Sequence, residues 1–202
     1  MSAAGILILL QCVWAAFGGY WLVAARGGEV EHTAESPFYR PVRLAILVIT
    51  FTLLFSRRLA FGFLGRQLMP RLVVVACVGF ALTLTGLALA MWARTHLGRY
   101  WSDKVVLKVN HQLVQDGPYA YMRHPIYSGV LLGVAGTALV VDEWRGALAF
   151  LVLLANYWIK AVQEEKILSA GFGEQFANHK RRAGFLFPRL RARGPTPASF
   201  GT

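Results

Sequence analysis

Leu72-Val-Val-Val-Ala-Cys77-Val-Gly79-Phe-Ala-Leu-Thr83-Leu-Thr-Gly86-Leu-Ala-Leu-Ala-Met-Trp-Ala93 carries no charged side chain, and it exceeds the roughly 20 residues that an α-helix needs to cross a bilayer. Residues 1–25 form a second such window, again without charge. One soluble core cannot hide two stretches of this kind, and the rest of the composition agrees. Of the 202 residues 56% are hydrophobic and 15% charged, well outside an ordinary soluble domain. A secretory leader would want a basic n-region, whereas the chain opens Met-Ser-Ala-Ala-Gly, so the first window reads as a retained anchor.

The sequence predicts an all-α integral membrane bundle of about five transmembrane helices. The second starts near Pro41, passes the uncharged run 44–56 and meets Arg57-Arg58. Its apolar centre is short, so snorkelling arginines or local thinning must make up the difference. The fourth, 126–141, and the fifth, from Gly146 to about Ile159, flank the polar turn Asp142-Glu143-Trp144-Arg145 and read as a helical hairpin. Their lengths leave a re-entrant pair as the alternative. Gly129 and Gly133 give the fourth a small-xxx-small spacing that lets another helix approach closely.

A net charge of +11 would raise the question of nucleic acid in a soluble protein. Here Lys and Arg gather between and after the apolar segments, where cytoplasmic loops and anionic lipid account for them, and no nucleic-acid partner is expected. Three lie before the second helix, five between Arg94 and Arg123, and eight from Lys160 onward, against five on the opposite face. The positive-inside rule then puts the N-terminus outside and both the 94–125 connection and the C-terminus in the cytoplasm. Cys12 and Cys77 both lie in apolar segments and read as small hydrophobes. His32, His96 and His179 lack paired ligand spacing, so no metal site is expected. Residues 189–202 mix Arg with Gly and Pro without apolar periodicity and read as a basic, disordered, lipid-facing tail.

Two polar segments carry more specificity than loops need. The first, from His111 to Gly129, runs into the fourth helix and places Arg123 and His124 just before Pro125 at the favoured first turn. Helix N-termini present free amides and partial positive charge to polar ligands. The second, Lys160-Ala-Val-Gln-Glu164-Glu165, continues the fifth helix, and positions 160 and 164 share a face. From spacing alone this cation and anion could serve a common cavity or form a solvated juxtamembrane pair.

Taken in order, His-x-Leu-Val at 111–114, Gly117-x-Tyr119, Arg123-His124-Pro125-x-Tyr127-x-Gly129, Glu164-Glu165, and Phe172-Gly173 followed by Phe176 and Lys180 resemble the catalytic half of the isoprenylcysteine carboxyl methyltransferase family, prokaryotic members included. The resemblance covers residues 96–188, while 1–95 match only in being membrane helices. It implies a methyltransferase without a soluble Rossmann domain, using S-adenosylmethionine and a lipophilic or prenylated acceptor within membrane lipid. It also implies a cofactor pocket between the cytoplasmic loop before the fourth helix and the C-terminal helix after the fifth. His111, Gln112, Leu113, Val114, Tyr119, His124, Pro125, Ile126 and Tyr127 would line that pocket, and Glu164 would hold the cofactor's amino group. Lys160 stands where eukaryotic members place a basic residue for the substrate carboxylate.

The residue types suit such a ligand: a carboxylate, a cation and aromatic faces come from Glu164, Arg123, Tyr119 and Tyr127. Lys160, Arg123 and Glu164 are therefore the candidate catalytic group. A carboxylate acceptor needs no general base, whereas an amine or thiol would call on His111 or His124. Departures from the family pattern are Gln115 for a common Thr, His179 for a common Tyr and Lys160 for Arg, which loses bidentate geometry. The alternatives are a phospholipid N-methyltransferase, a thiol S-methyltransferase, an NADPH-dependent sterol-reductase-like enzyme and a noncatalytic membrane scaffold.

Overall fold

A computed structural model describes residues 3–24, 39–70, 72–98 and 113–189. Five α-helices occupy them: α1 (Ala3–Ala24), α2 (Tyr39–Phe55), α3 (Val73–Leu97), α4 (Pro125–Val141) and α5 (Trp144–Arg182). Short 3-10 turns cover Arg57–Leu59 and Gly117–Ala120. Three helices, α1, α3 and α5, are long and apolar enough to cross a membrane, and α2 and α4 are shorter apolar helices. Cys12 and Cys77 sit on exposed faces of α1 and α3.

α3 and α4 form the tightest pair, because glycines meet glycines. A Cβ on Gly129 would lie 2.5 Å from the Gly86 carbonyl oxygen, and one on Gly79 would lie 2.5 Å from that of Gly136. Close backbone approach of this kind is how helices associate where lipid offers no hydrophobic drive. The small-residue spacing at Gly129 is therefore a packing device, and its partner is α3. Hydroxyls stitch the same seam: Thr83 Oγ1 lies 3.1 Å from the Gly133 carbonyl and 3.3 Å from Thr137 Oγ1, and Trp14 Nε1 donates to Thr137 Oγ1 at 2.9 Å. α1 is thereby tied to the α3–α4 pair.

The α4–α5 connection is tighter than the four-residue turn read from the sequence. Asp142 takes a left-handed conformation (φ 51°) and Glu143 caps α5, so Trp144 and Arg145 already belong to the helix. Arg145 is buried rather than surface-lying, at 3% exposure. Its Nη1 donates to the Leu53 and Leu54 carbonyls at 2.8 and 2.9 Å, and its Nε to Glu143 at 2.6 Å. A guanidinium thus satisfies carbonyls that the end of α2 leaves without helical partners.

α5 does not stop near Ile159: the segment 160–165 continues it, as the sequence suggested, and the C-terminal helix expected after it is part of the same helix. It continues to Arg182 and turns at Gly173, where φ is +48°, a conformation that favours glycine. Past this kink, residues 183–189 fold back on the loop before α4. Arg123 N–H donates to the Gly184 carbonyl at 2.8 Å, Gly184 N–H to Tyr121 at 3.0 Å, and Ser128 Oγ to Leu186 at 2.5 Å. Of the basic tail, positions 190–202 lie outside the described residues.

Candidate functional site

The loop entering α4 and the middle of α5 converge on one cluster. Tyr127, in the first turn of α4, donates its hydroxyl to Glu164 Oε1 at 2.5 Å. His124, the residue that caps α4, lies between two carboxylates, with Nδ1 3.5 Å from Glu164 and Nε2 3.3 Å from Glu165. Arg123 Nε donates to Glu165 Oε1 at 2.6 Å, and Lys160 Nζ stands 4.0 Å from Glu164 Oε1 and 5.5 Å above the Tyr127 ring. Tyr157, one turn before Lys160, stacks on Tyr127 with centroids 4.7 Å apart.

This cluster forms one end of a cavity of about 820 Å³. Leu113, Val114, Tyr119, Arg123, His124, Ile126, Tyr127, Lys160 and Glu164 all line it, so the two segments singled out in the sequence share one cavity. The Lys160/Glu164 pair accordingly faces a cavity rather than solvent. Pro125 is fully buried at the start of α4 and is not part of the lining. His111 and Gln112 lie outside the described residues.

Arg123 departs from its expected task. Although it reaches the wall, its guanidinium is engaged by Glu165 and by the Ala183 and Lys180 carbonyls at 2.5 and 3.4 Å. It clasps the C-terminal return segment to the loop. His96 is likewise accounted for: its Nε2 lies 3.0 Å from Asp116 Oδ1, which holds that carboxyl below its usual value, and its ring packs where a Cβ on Gly117 would go. Burial weakens the charged form of His124, but the Glu164 and Glu165 carboxylates outweigh it and raise the imidazole above 6.5. Burial, reinforced by the Glu164 charge, pushes the Tyr119 phenol up.

Residues 77–170 match the model of the isoprenylcysteine carboxyl methyltransferase (ICMT) family. Over this segment, less than half of the 202 residues, the chain is similar to that family. It is 31% identical over 107 residues to protein-S-isoprenylcysteine O-methyltransferase B of Arabidopsis thaliana, covering 52% of this chain and 54% of that one. To the protein-S-isoprenylcysteine O-methyltransferase of Schizosaccharomyces pombe it is 31% identical over 101 residues, 48% of this chain and 43% of that one. A broader alignment, 28% over 148 residues, joins it to the cobalt-zinc-cadmium resistance protein CzcN of Cupriavidus metallidurans, covering 71% and 62%. The chain thus spans about half the length of the isoprenylcysteine methyltransferases it matches. The solved structure of the eukaryotic intramembrane Ras methyltransferase ICMT superposes with a TM-score of 0.54 at 21% identity, over 79% of this chain and 54% of that one; this likeness shows the fold.

Several lining residues were not assigned to the site from the sequence. Phe176 and His179, read there only as motif positions, come from beyond the Gly173 kink, Asn156 and Tyr157 from α5, and Trp14, Phe17, Trp21, Arg43, Leu47 and Phe51 from α1 and α2. The lining positions 157, 160, 164 and 168 of α5 recur every three to four residues, which is the signal that could have found Tyr157. No comparable periodic signal marks α1 and α2, which are apolar apart from Gln11 on α1 and the arginines and threonines of α2.

Proposed function

We propose that this chain is an S-adenosylmethionine-dependent methyltransferase acting on a membrane-dissolved, lipophilic acceptor, and that the reaction is carboxyl O-methylation. The observation that carries the reading is one cavity with two unlike parts. Polar side chains around the Tyr127–Glu164 hydrogen bond line one part of it, and mainly apolar side chains of α1 and α2, with Gln11 and Arg43 among them, line the rest.

The residues present fit the cofactor. An ammonium, a carboxylate, a sulfonium and an adenine call for an anion, cations and aromatic faces, and the polar part offers Glu164, Lys160, Tyr119, Tyr127 and Tyr157. In this reading Leu113, Val114, Tyr119, His124, Ile126 and Tyr127 hold the cofactor, with Pro125 setting the helix start, and Glu164 receives its ammonium. His111 and Gln112 are assigned to the same pocket. When bound, S-adenosylmethionine supplies an electrophilic methyl group. Lys160 orients an acidic acceptor, whose carboxylate needs no general base, so alignment and exclusion of water are the main contributions of the protein. Arg123 and Glu165 are positioning residues that keep His124 and the return segment in place.

The same reading places five spans in an inner membrane, with the N-terminus outside and the site at the cytoplasmic face. Residues 1–95 then supply the acceptor chamber and 96–188 the cofactor pocket. Calorimetry on the detergent-solubilised protein tests it: S-adenosylmethionine and S-adenosylhomocysteine bind and NADPH does not compete. NADPH binding with no heat from the sulfonium cofactor would overturn it. Transfer of labelled methyl to a lipid extract and to a prenylated cysteine analogue then identifies the acceptor.

A further inference from the structure

The return segment after α5 closes on a single atom. The Gly184 and Arg189 amides both donate to the Tyr121 carbonyl at 3.0 Å, and a Cβ on Gly184 would collide with the Phe187 carbonyl oxygen, so residues 185–188 form a tight loop pinned at both ends. Phe185 and Leu186 turn inward. Phe185 meets the His124 ring edge-on at 5.2 Å, the Arg123 guanidinium lies 5.5 Å from its centroid, and Leu186 is buried. Phe187 turns outward and is 83% exposed, more than any other large hydrophobic side chain among the described residues.

Singly exposed apolar residues are ordinary, so the level of Phe187 decides its meaning. α5 carries no charge from Gly146 to Ile159, and Lys160 ends the run. Trp158 therefore stands where the helix leaves the hydrocarbon, the depth at which tryptophan is enriched. It is exposed and packs edge-on against Phe185 at 4.8 Å. Two residues of chain span at most about 7 Å, which keeps Phe187 at the same lipid–water boundary.

The surroundings of the loop are basic. Arg181, Arg182 and Arg189 are exposed, and no Asp or Glu follows Glu174 in the sequence. The groups that these cations and Lys180 touch are neutral oxygens: Arg189 Nη1 donates to the Arg181 carbonyl at 2.7 Å, Arg181 to the Asn178 side chain, and Lys180 Nζ to Ser169 Oγ at 3.3 Å. An aromatic tip among cations, at the level of the headgroups, is complementary to anionic phospholipid. The ring enters the boundary and the guanidiniums face the phosphates.

The same loop is bonded to the cavity wall. Arg123 N–H donates to the Gly184 carbonyl at 2.8 Å and His124 N–H to that of Phe185 at 3.3 Å, while Ser128 Oγ donates to Leu186 at 2.5 Å. Arg123 and His124 line the cavity, so whatever holds the loop against the bilayer also holds that wall. We propose that residues 181–189 form a binding surface for anionic phospholipid headgroups, with Phe187 as the inserted tip, and that its engagement tightens the cavity around its ligand. The second half of the proposal rests on the functional reading above.

The test places the full chain in nanodiscs of phosphatidylcholine alone and of phosphatidylcholine with about a third phosphatidylglycerol. In a Cys12→Ala, Cys77→Ala background, a nitroxide attached through Phe187→Cys reports depth by its accessibility to oxygen and to a water-soluble nickel chelate, with a label at Leu84→Cys, on the exposed face of α3, as the hydrocarbon reference. The label at 187 is shielded from nickel in the anionic discs and less so in the neutral ones, and Arg181→Gln with Arg182→Gln removes the difference. With the original Phe187, affinity for S-adenosylhomocysteine rises about fivefold from neutral to anionic discs, the equivalent of one basic side chain at an anionic surface, and Phe187→Ser abolishes the rise. A label at 187 open to nickel in both lipids overturns the proposal and leaves this face to a protein partner. Equal shielding in both lipids overturns the selection for anionic headgroups. Lipid-dependent shielding with unchanged ligand affinity overturns the coupling to the cavity. Lipid-dependent shielding in a protein that binds no S-adenosylhomocysteine in either lipid upholds the surface and removes the proposed reaction instead.

Discussion

Replacing Glu164 by Gln keeps the shape of the side chain and removes its charge, so it isolates what the carboxylate contributes. In the structure that carboxylate accepts from Tyr127 at 2.5 Å, lies 3.5 Å from His124 Nδ1 and 4.0 Å from Lys160 Nζ. A ligand ammonium that used it would lose a charge-assisted hydrogen bond of about 1.5–3 kcal/mol. At 1.4 kcal/mol per factor of ten, affinity for S-adenosylhomocysteine should fall roughly 10- to 150-fold. Tyr127→Phe removes a hydroxyl that touches Glu164 rather than the charge itself, and its cost should be nearer 1 kcal/mol, about fivefold. Titration calorimetry on both variants, with melting temperatures in the same detergent, measures the two effects. Because Glu164→Gln would leave the His124 and Lys160 charges less compensated, some loss of thermal stability should accompany the loss of affinity. Unchanged affinity in a folded Glu164→Gln protein would refute the reasoning and move the ammonium site elsewhere.

Lys160→Ala should impair transfer to an acidic acceptor while leaving S-adenosylhomocysteine affinity within a few fold; equal transfer rates in both proteins would remove Lys160 from the acceptor site. Gly129→Ala places a Cβ 2.5 Å from the Gly86 carbonyl and should destabilise the bundle by about 1–3 kcal/mol, read as a lower melting temperature, whereas Gly19→Ala, with nothing within 4 Å, should melt as the parent does. His124 has a raised value in the folded protein, so the stability it contributes is fully present below about pH 6.5 and is lost as pH rises through the raised value. The melting difference between the parent and His124→Gln should therefore be largest in acid and shrink in alkali, and a difference that grows with pH would contradict the assignment.

The helices were legible where the sequence is unambiguous about burial of charge. The charge-free windows at 1–25 and 72–93 became α1 and α3, and Pro125 marked the start of α4. The pairing of Tyr127 with Glu164 was legible through motif order, since residues 37 positions apart give no local signal. What stayed hidden has one physical cause. In a membrane helix the lipid-facing and cavity-facing sides are both apolar, so hydrophobic periodicity, which marks burial in water, is silent. That is why the chamber wall on α1 and α2 was not foreseen. The continuation of the fifth helix through 160–165 was legible, but its merging with the C-terminal helix was not: beyond Ile159 it becomes polar without ceasing to be helical, and its direction changes at a single glycine.

Because the Arg123 guanidinium holds Glu165 together with the Lys180 and Ala183 carbonyls, the entry to α4, the middle of α5 and the return segment after it are tied through a single side chain. Opening any one of them breaks contacts in the other two, so this end of the bundle should yield to heat or to amide exchange as one cooperative unit rather than piecewise.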